Sequence, residues 1–149
     1  MLDEPPNGFD EGKWLTVDPG SGLFIMEWTD GKMTNKFYYR NALAEYPYVL
    51  DTAARNIIIE DVELWSGSAV SYASATQGDT FRLAMQIGAL INDYRNARCN
   101  IYLVSPRRWK GQLNYEQLRF ILSRKFKIIT KNDHESSAIG IGLWAKGLL

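Results

Sequence analysis

Runs of apolar residues separated by turn signals predict five β-strands. The first two runs are joined by Asp18-Pro19-Gly20-Ser21-Gly22, whose proline and glycines favour a turn, and Asp30-Gly31 favours a tight hairpin turn after the second. The run Asn56-Ile57-Ile58-Ile59-Glu60 is continuously aliphatic between its ends, which is typical of a strand buried on both faces. The predicted strands cover residues 14–17, 23–28, 33–39, 56–60 and 100–105.

Apolar residues recur at helical spacing in three further segments. The predicted helices cover residues 80–94, 115–126 and 133–145, and Asn132 or Asp133 caps the last of them. Residues 41–45 could form a short helix, although Pro47 interrupts the pattern. The order β-β-β-(α)-β-α-β-α-α predicts an α/β fold, in which an antiparallel meander and parallel strands form one mixed sheet with helices on both faces.

Length and composition favour one domain. The chain has 149 residues, 46% of them hydrophobic, which is enough for a sizeable core. Residues 1–12 lack apolar periodicity, so we expect a flexible N-terminal lead-in followed by a single domain over residues 13–149. No apolar run approaches the ~20 residues needed to span a bilayer. The single cysteine, Cys99, excludes an intramolecular disulfide, and we expect a reducing compartment, the cytoplasm.

The formal net charge of zero hides a split along the chain. Residues 1–63 hold 12 acidic and 5 basic side chains, whereas residues 64–149 hold 5 acidic and 12 basic ones. Within residues 95–131, ten Lys and Arg stand against one acid, Glu116. This stretch is either a solvated basic face or a surface that binds a polyanion.

Acidic side chains at the ends of predicted strands are the candidate chemistry. Asp18 follows the first strand, and Glu60 ends the aliphatic one. Asp133, the only histidine His134, and Ser137 lie at the start of the last helix and can share one face. Structural ion pairs and a capping histidine are the alternatives. Carboxylates gathered from two strands and a helix suit two-metal phosphodiester chemistry, in which ions stabilise the attacking and leaving oxygens.

Five blocks of sequence, taken in order, resemble RuvC-like Holliday junction resolvases, most of all the short phage and prophage versions. The blocks are Thr16-Val17-Asp18-Pro19-Gly20, Ile58-Ile59-Glu60-Asp61-Val62, Gly78-Asp79, the segment 104–111, and the segment 133–142. The resemblance covers residues 13–145 and implies a ribonuclease H-like fold. It also implies a nuclease that cuts four-way or other branched DNA with Mg²⁺ or Mn²⁺, two ions to a site.

The resemblance also implies roles for individual residues. Asp18 and Glu60 match metal-ligating acids of the family, and His134 falls where some members use histidine as a ligand or to orient water. The helix around residues 74–94 corresponds to the helix that forms the family's homodimer; plain core packing is the alternative. Seven basic residues flank the site in sequence and are expected to bind DNA phosphates: Arg107, Arg108, Lys110, Arg124, Lys125, Lys127 and Lys131. Trp109 is expected to pack on the sheet.

Ser137 departs from the family at a catalytic position, where an aspartate is usual. A hydroxyl is a poor metal ligand and supplies no negative charge at neutral pH. Three interpretations stay open: an inactivated site, a natural variant in which Asp133 or Glu135 takes over, or a junction-binding protein without catalysis. Asp133 lies four residues before Ser137 and is the better substitute by helical geometry. A nuclease of the same fold acting on flaps, forks or RNA–DNA hybrids is a further alternative.

Overall fold

The computed structural model describes residues 1–45, 53–62 and 78–149. Five strands form one sheet: β1 (Lys13–Asp18), β2 (Leu23–Thr29), β3 (Lys32–Tyr39), β4 (Asn56–Glu60) and β5 (Asn100–Val104). Four helices accompany them: α1 (Asp79–Asn96), α2 (Pro106–Lys110), α3 (Tyr115–Phe126) and α4 (Asp133–Ala145).

The sheet is mixed, as the order of elements predicted. Its strand order is β3-β2-β1-β4-β5. The three strands of the meander pair antiparallel, whereas β4 pairs parallel with both β1 and β5. The carboxyl ends of β1, β4 and β5 therefore lie at one edge, which is where functional groups of parallel sheets usually gather.

Helices cover both faces of this sheet. On one face α4 packs against β1 and β2 and is flanked by α2 and α3, around a core that includes Trp14, Trp28 and Trp109. On the other face the buried side of α1, with Ile87 and Leu90, packs on the aliphatic residues of β1 and β4. The apolar pattern of residues 56–60 is explained by this arrangement, because Ile57 and Ile59 face one layer and Ile58 the other.

Helix α4 approaches the sheet closely because it carries Gly140 and Gly142. A Cβ atom at Gly140 would come within 2.5 Å of the Trp109 ring, and one at Gly142 would overlap the Trp28 ring. The Thr16 hydroxyl donates a hydrogen bond to the Ala138 carbonyl (2.6 Å) and so fixes the helix against β1. These contacts set the height and register at which the start of α4 meets the end of β1.

Two details differ from the sequence-based expectations. Helix α2 was not predicted, since five residues are too few for a periodic pattern; Ser105 caps it and Pro106 opens it. Residues 41–45 form turns rather than a helix. Residues 74–77 of the expected dimer helix lie outside the described residues. No helix in the described part of the chain is long and apolar enough to cross a membrane.

Residues 1–12, expected to form a flexible lead-in, contact the domain at several points. The segment forms no regular element, but Phe9 is buried in the core against Trp14 and Trp28. The indole of Trp14 donates to the carbonyls of Gly8 and Glu11 (3.1 Å each), and the Leu2 amide donates to Leu103 on the edge strand β5 (2.6 Å). A single buried aromatic residue gives no periodic signal, although it anchors the whole segment.

Candidate active site

Asp18 and Glu60 end the neighbouring parallel strands β1 and β4. The register pairs Val17 with Ile59, so the two carboxyl residues occupy the next position on each strand. Because side chains alternate along a strand, both carboxylates point to the face that α4 covers. They therefore share one corner between the sheet and this helix.

His134, on the first turn of α4, contacts Asp18 directly. Its Nδ1 lies 2.9 Å from Asp18 Oδ2. Burial raises the pKa of Asp18, and the hydrogen bond to His134 opposes that rise. The same hydrogen bond raises the pKa of His134, against the smaller effect of burial. The two side chains therefore behave as one unit, in which each favours the charged form of the other.

The position of this imidazole depends on two neighbours from the meander. Gly22 leaves space for it, because a Cβ atom there would come within 2.5 Å of His134 Cδ2 and 2.6 Å of Nε2. The ring of Tyr38, on β3, stacks on the imidazole with 6.2 Å between ring centres and an angle of 29°. The Asn132 side chain caps α4 by accepting from the Glu135 amide (2.8 Å), which fixes the turn that carries His134.

Glu60 is held by Trp109 of α2. The indole N–H of this buried tryptophan donates to Glu60 Oε2 at 2.6 Å. Burial, followed by the charge of Asp18, raises the pKa of Glu60 to about 7, and the indole hydrogen bond partly offsets the rise. The expectation that Trp109 packs on the sheet is therefore incomplete, because its indole N–H also orients Glu60.

Ser137 is buried one turn after His134. Its hydroxyl makes no well-formed hydrogen bond with any atom in the described ranges. The phenol of Tyr115 lies beside it, and the pKa of this phenol is raised by burial first and then by Asp18 and Glu60. The ammonium of Lys110 sits 4.2 Å from the centre of the Tyr115 ring. A tyrosine and a lysine thus border the position where the resolvase family has a carboxylate.

The two acids proposed to compensate for Ser137 have different surroundings. Glu135 is buried with both oxygens engaged: Oε1 pairs with Lys36 at 2.8 Å, and Oε2 accepts from the Lys131 amide at 2.8 Å. Asp133 is half-exposed and only loosely paired with Arg119 at 3.7 Å, and its charge raises the pKa values of both Asp18 and His134. Asp133 is therefore the acid that can reach the site.

A divalent cation would meet two carboxylates here. Mg²⁺ is commonly held by one or two carboxylates together with water and phosphate oxygens, which the buried Asp18 and the partly buried Glu60 suit. Within residues 1–45, 53–62 and 78–149, no three or more histidine, cysteine or acidic side chains are grouped as a metal site. The donor set thus fits one ion directly, and a second ion requires a further ligand such as Asp133.

The seven predicted DNA-binding residues divide into three groups. Lys110 lies at the site, where its charge opposes the burial that raises the pKa values of Asp18 and Glu60. Lys131 is exposed just before α4. The other five lie on α2 or at the carboxyl end of α3: Arg107, Arg108, Arg124, Lys125 and Lys127. Of these, Arg108 pairs with Asp3 at 2.8 Å, which the sequence did not suggest.

Tyr38, Tyr115 and Gln86 are site neighbours that the sequence did not single out. Gln86, on α1, hydrogen bonds with the backbone of Gly20, next to Asp18. One signal was available for it, since Gln86 is a polar residue among the apolar positions of that helix. Tyr38 and Tyr115 carry no such signal, because exposed tyrosines are ordinary on strands and at helix ends.

No family model and no curated protein matches this chain in sequence. Two solved structures are similar in fold. RuvC of T. thermophilus, in complex with a Holliday junction substrate, superposes with a TM-score of 0.61 at 12% identity, over 89% of this chain and 91% of that one. The Fowlpox virus resolvase, in complex with Holliday junction DNA, gives 0.55 at 12% identity, over 91% and 99%. The fold is therefore the ribonuclease H-like fold of the RuvC-like resolvases, as the resemblance implied.

Proposed function

We propose that this protein is a structure-selective endonuclease that cleaves phosphodiester bonds at Holliday junctions or other branched DNA. One observation carries the proposal: Asp18, Glu60 and His134 converge at the carboxyl ends of parallel strands, in a fold shared with two resolvases whose structures contain junction DNA. Two carboxylates beside the charge of Lys110 are suited to bind a metal ion and the phosphate that it polarises.

In this proposal Asp18 and Glu60 hold Mg²⁺ or Mn²⁺. The bound ion supplies Lewis acidity for attack of water on the phosphodiester. Trp109 orients Glu60 through its 2.6 Å hydrogen bond, and His134 holds Asp18 in one rotamer. Lys110 places a positive charge where the phosphate would lie. The two-ion mechanism that the resemblance implies needs Asp133 to turn inward from Arg119 and take the role that Ser137 cannot fill.

Junction binding is proposed to use the basic residues around this corner. Lys110 and Lys131 would contact phosphates near the cut, and Arg107, Arg124, Lys125 and Lys127 would contact the arms. Contacts to phosphate give affinity that falls with salt and depends little on base sequence. Selectivity for a branch would then come from the shape of the DNA.

A homodimer is proposed through α1. Its exposed side carries Phe81 and Met85, each 67% exposed, with the small residues Ala84 and Gly88 beside them. Two copies related by a two-fold axis would bury this stripe and present two sites to two of the four strands of a junction. A DNA-cleaving homodimer of this kind would work in the cytoplasm, of a bacterium or of a phage-infected host.

The experiment that tests the proposal is a nicking assay with end-labelled substrates. We expect Mg²⁺- or Mn²⁺-dependent cleavage of a synthetic four-way junction and none of a linear duplex of the same sequence, at one fixed salt concentration. Flap, fork and RNA–DNA hybrid substrates are tested in the same buffer, and faster cleavage of one of them than of the four-way junction would identify it as the preferred substrate. Absence of cleavage of every branched substrate in both metals would contradict the proposed activity.

A junction-binding protein without catalysis is the second candidate, and Ser137 favours it. Ser137→Asp distinguishes the two. If the wild type binds junctions but does not cut, and the variant cuts, the site is an inactivated nuclease. If the wild type already cuts, catalysis uses another ligand, and Asp133→Asn is then expected to slow cleavage while Glu135→Gln chiefly lowers stability by breaking the Lys36 pair.

A further inference from the structure

Gln86 is the one glutamine among the buried polar residues of the described chain, and it lies in an apolar layer. Gln86 is 4% exposed, and its neighbours Leu83, Ile87 and Leu90 on α1 belong to the apolar cluster between this helix and the sheet. Burying an amide costs free energy unless its donor and acceptor are both paired. The hydrogen-bond partners of this amide therefore explain why a polar side chain occupies the position.

Both groups of the Gln86 amide pair with one residue, Gly20. The Gly20 amide donates to Gln86 Oε1 at 2.7 Å, and Gln86 Nε2 donates to the Gly20 carbonyl at 3.0 Å. Gly20 has a φ of +141°, a conformation that residues with a side chain rarely adopt. Glycine is the residue whose backbone has the most conformational freedom, so this two-point contact fixes the part of the turn with the least intrinsic order.

The turn that Gln86 holds, residues 19–22, determines the geometry of the acid and imidazole pair. Asp18 immediately precedes it, and Gly22 at its other end lies against the His134 ring. A shift of the turn towards α4 would press Gly22 on the imidazole, and a shift away would remove one wall of its cavity. The 2.9 Å contact between Asp18 and His134 therefore depends on where Gln86 holds Gly20.

We propose that Gln86 is a positioning residue of the active site, which sets the relative placement of Asp18 and His134 through the backbone of Gly20. It touches neither of those side chains and neither would it touch DNA, since it is buried on the sheet face opposite to α4. This inference rests on the proposed nuclease function only for its kinetic consequence. Its structural consequence can be measured in the protein alone.

Gln86→Met tests the inference because methionine nearly keeps the length and volume of the side chain but cannot donate to the Gly20 carbonyl and accepts only weakly from its amide. The matched control is Gln112→Met, the same replacement at an exposed glutamine. His134 is the only histidine, so its imidazole gives a single set of nitrogen resonances that reports its contact with Asp18. We expect these resonances to shift in Gln86→Met and to stay in place in Gln112→Met.

The kinetic arm uses single-turnover junction cleavage at saturating protein. A small misplacement of reacting groups costs up to about 100-fold in rate, so we expect Gln86→Met to slow cleavage by about 10- to 100-fold while the junction dissociation constant, measured without metal, stays unchanged. Gln86→Glu keeps the acceptor for the Gly20 amide and loses the donor, and an intermediate rate is expected. It also replaces Gln86→Met if that variant does not fold.

Unchanged His134 resonances in both Gln86 variants would overturn the inference. A wild-type protein that cuts no branched DNA would contradict the proposed function, whereas a shift of the His134 resonances in Gln86→Met would still support the positioning role. A uniform loss of junction affinity and cleavage in Gln86→Met, with the His134 resonances in place, would assign Gln86 to general stability and reject the inference.

Discussion

The chemistry of Glu60 depends more on its surroundings than on its position in sequence. It is an ordinary glutamate at the end of a strand, but burial and the nearby Asp18 raise its pKa to about 7. In the folded protein it holds a proton at pH values where the unfolded chain has released it. Stability therefore falls as pH rises through this window, because the native state binds more protons than the unfolded state.

Metal-free protein is expected to show this directly. Between about pH 4.5 and 7, the free energy of unfolding should decrease for the wild type, and the decrease should be smaller in Glu60→Gln, which keeps an oxygen to accept from Trp109 but has no charge to bury. Urea denaturation in the presence of a chelator measures both slopes. The charge of Glu60 also raises the pKa of His134, so its removal weakens that contribution in the same direction, and identical slopes would contradict a raised pKa at Glu60.

The sequence predicted the position of a site residue only where the pairing of the strands determines that position. Asp18 and Glu60 follow apolar runs whose parallel pairing brings their ends together, so their proximity was foreseeable. The bond from Trp109 to Glu60 was not, because it depends on a five-residue helix without periodicity. The Glu135 pair with Lys36 was equally hidden, since it joins residues 99 positions apart in sequence.

At the scale of elements, α4 is the part whose placement matters most for the site. It was predicted with its observed bounds, because the apolar run after His134 and the cap at Asn132 are both local signals. Its two glycines indicated close packing, but which rings they admit is a property of the tertiary structure. The contacts with Trp28 and Trp109 place the first turn of α4 against the end of β1.

Adding a methyl group at Gly142 is expected to destabilise the protein. Gly142→Ala would push α4 away from Trp28, and overpacking of this kind usually costs about 1–3 kcal/mol. Gly88→Ala is the matched control, because nothing within the chain lies within 4 Å of a Cβ atom there; since Gly88 also lies in the proposed dimer stripe, both variants are compared at concentrations where the protein is monomeric. In a helix interior that change stabilises by up to about 1 kcal/mol. Thermal or urea unfolding compares them, and equal effects would rule out the close approach.

In the whole molecule, the acidic and basic halves of the sequence are only partly separated in space. The acidic half supplies Asp18 and Glu60 to a corner where the basic half contributes Lys110. Acidic residues also neutralise some basic ones, as Asp3 does for Arg108 and Asp133 for Arg119. A net charge of zero therefore describes no single surface of the protein.

The apolar stripe on α1 predicts how two molecules associate. Met85→Glu would place a charge at the centre of the stripe formed with Phe81, Ala84 and Gly88, and we expect it to convert a dimer into a monomer. Sedimentation or light scattering measures the mass, and Arg98→Glu, at an exposed position beyond the end of α1, serves as the control. A monomeric wild type, or a Met85→Glu variant that still dimerises, would contradict α1 as the dimer interface.

We propose that cleavage is organised around the carboxylate of Asp18. Junction cleavage by Asp18→Asn in Mg²⁺ tests it most directly, with Glu4→Gln as an exposed control. We expect the variant to lose cleavage and to keep or improve its affinity for the junction, because one negative charge near phosphate is removed, whereas Glu4→Gln should cut at the wild-type rate. Cleavage by Asp18→Asn at the wild-type rate in Mg²⁺ would contradict the assignment of this corner as the active site.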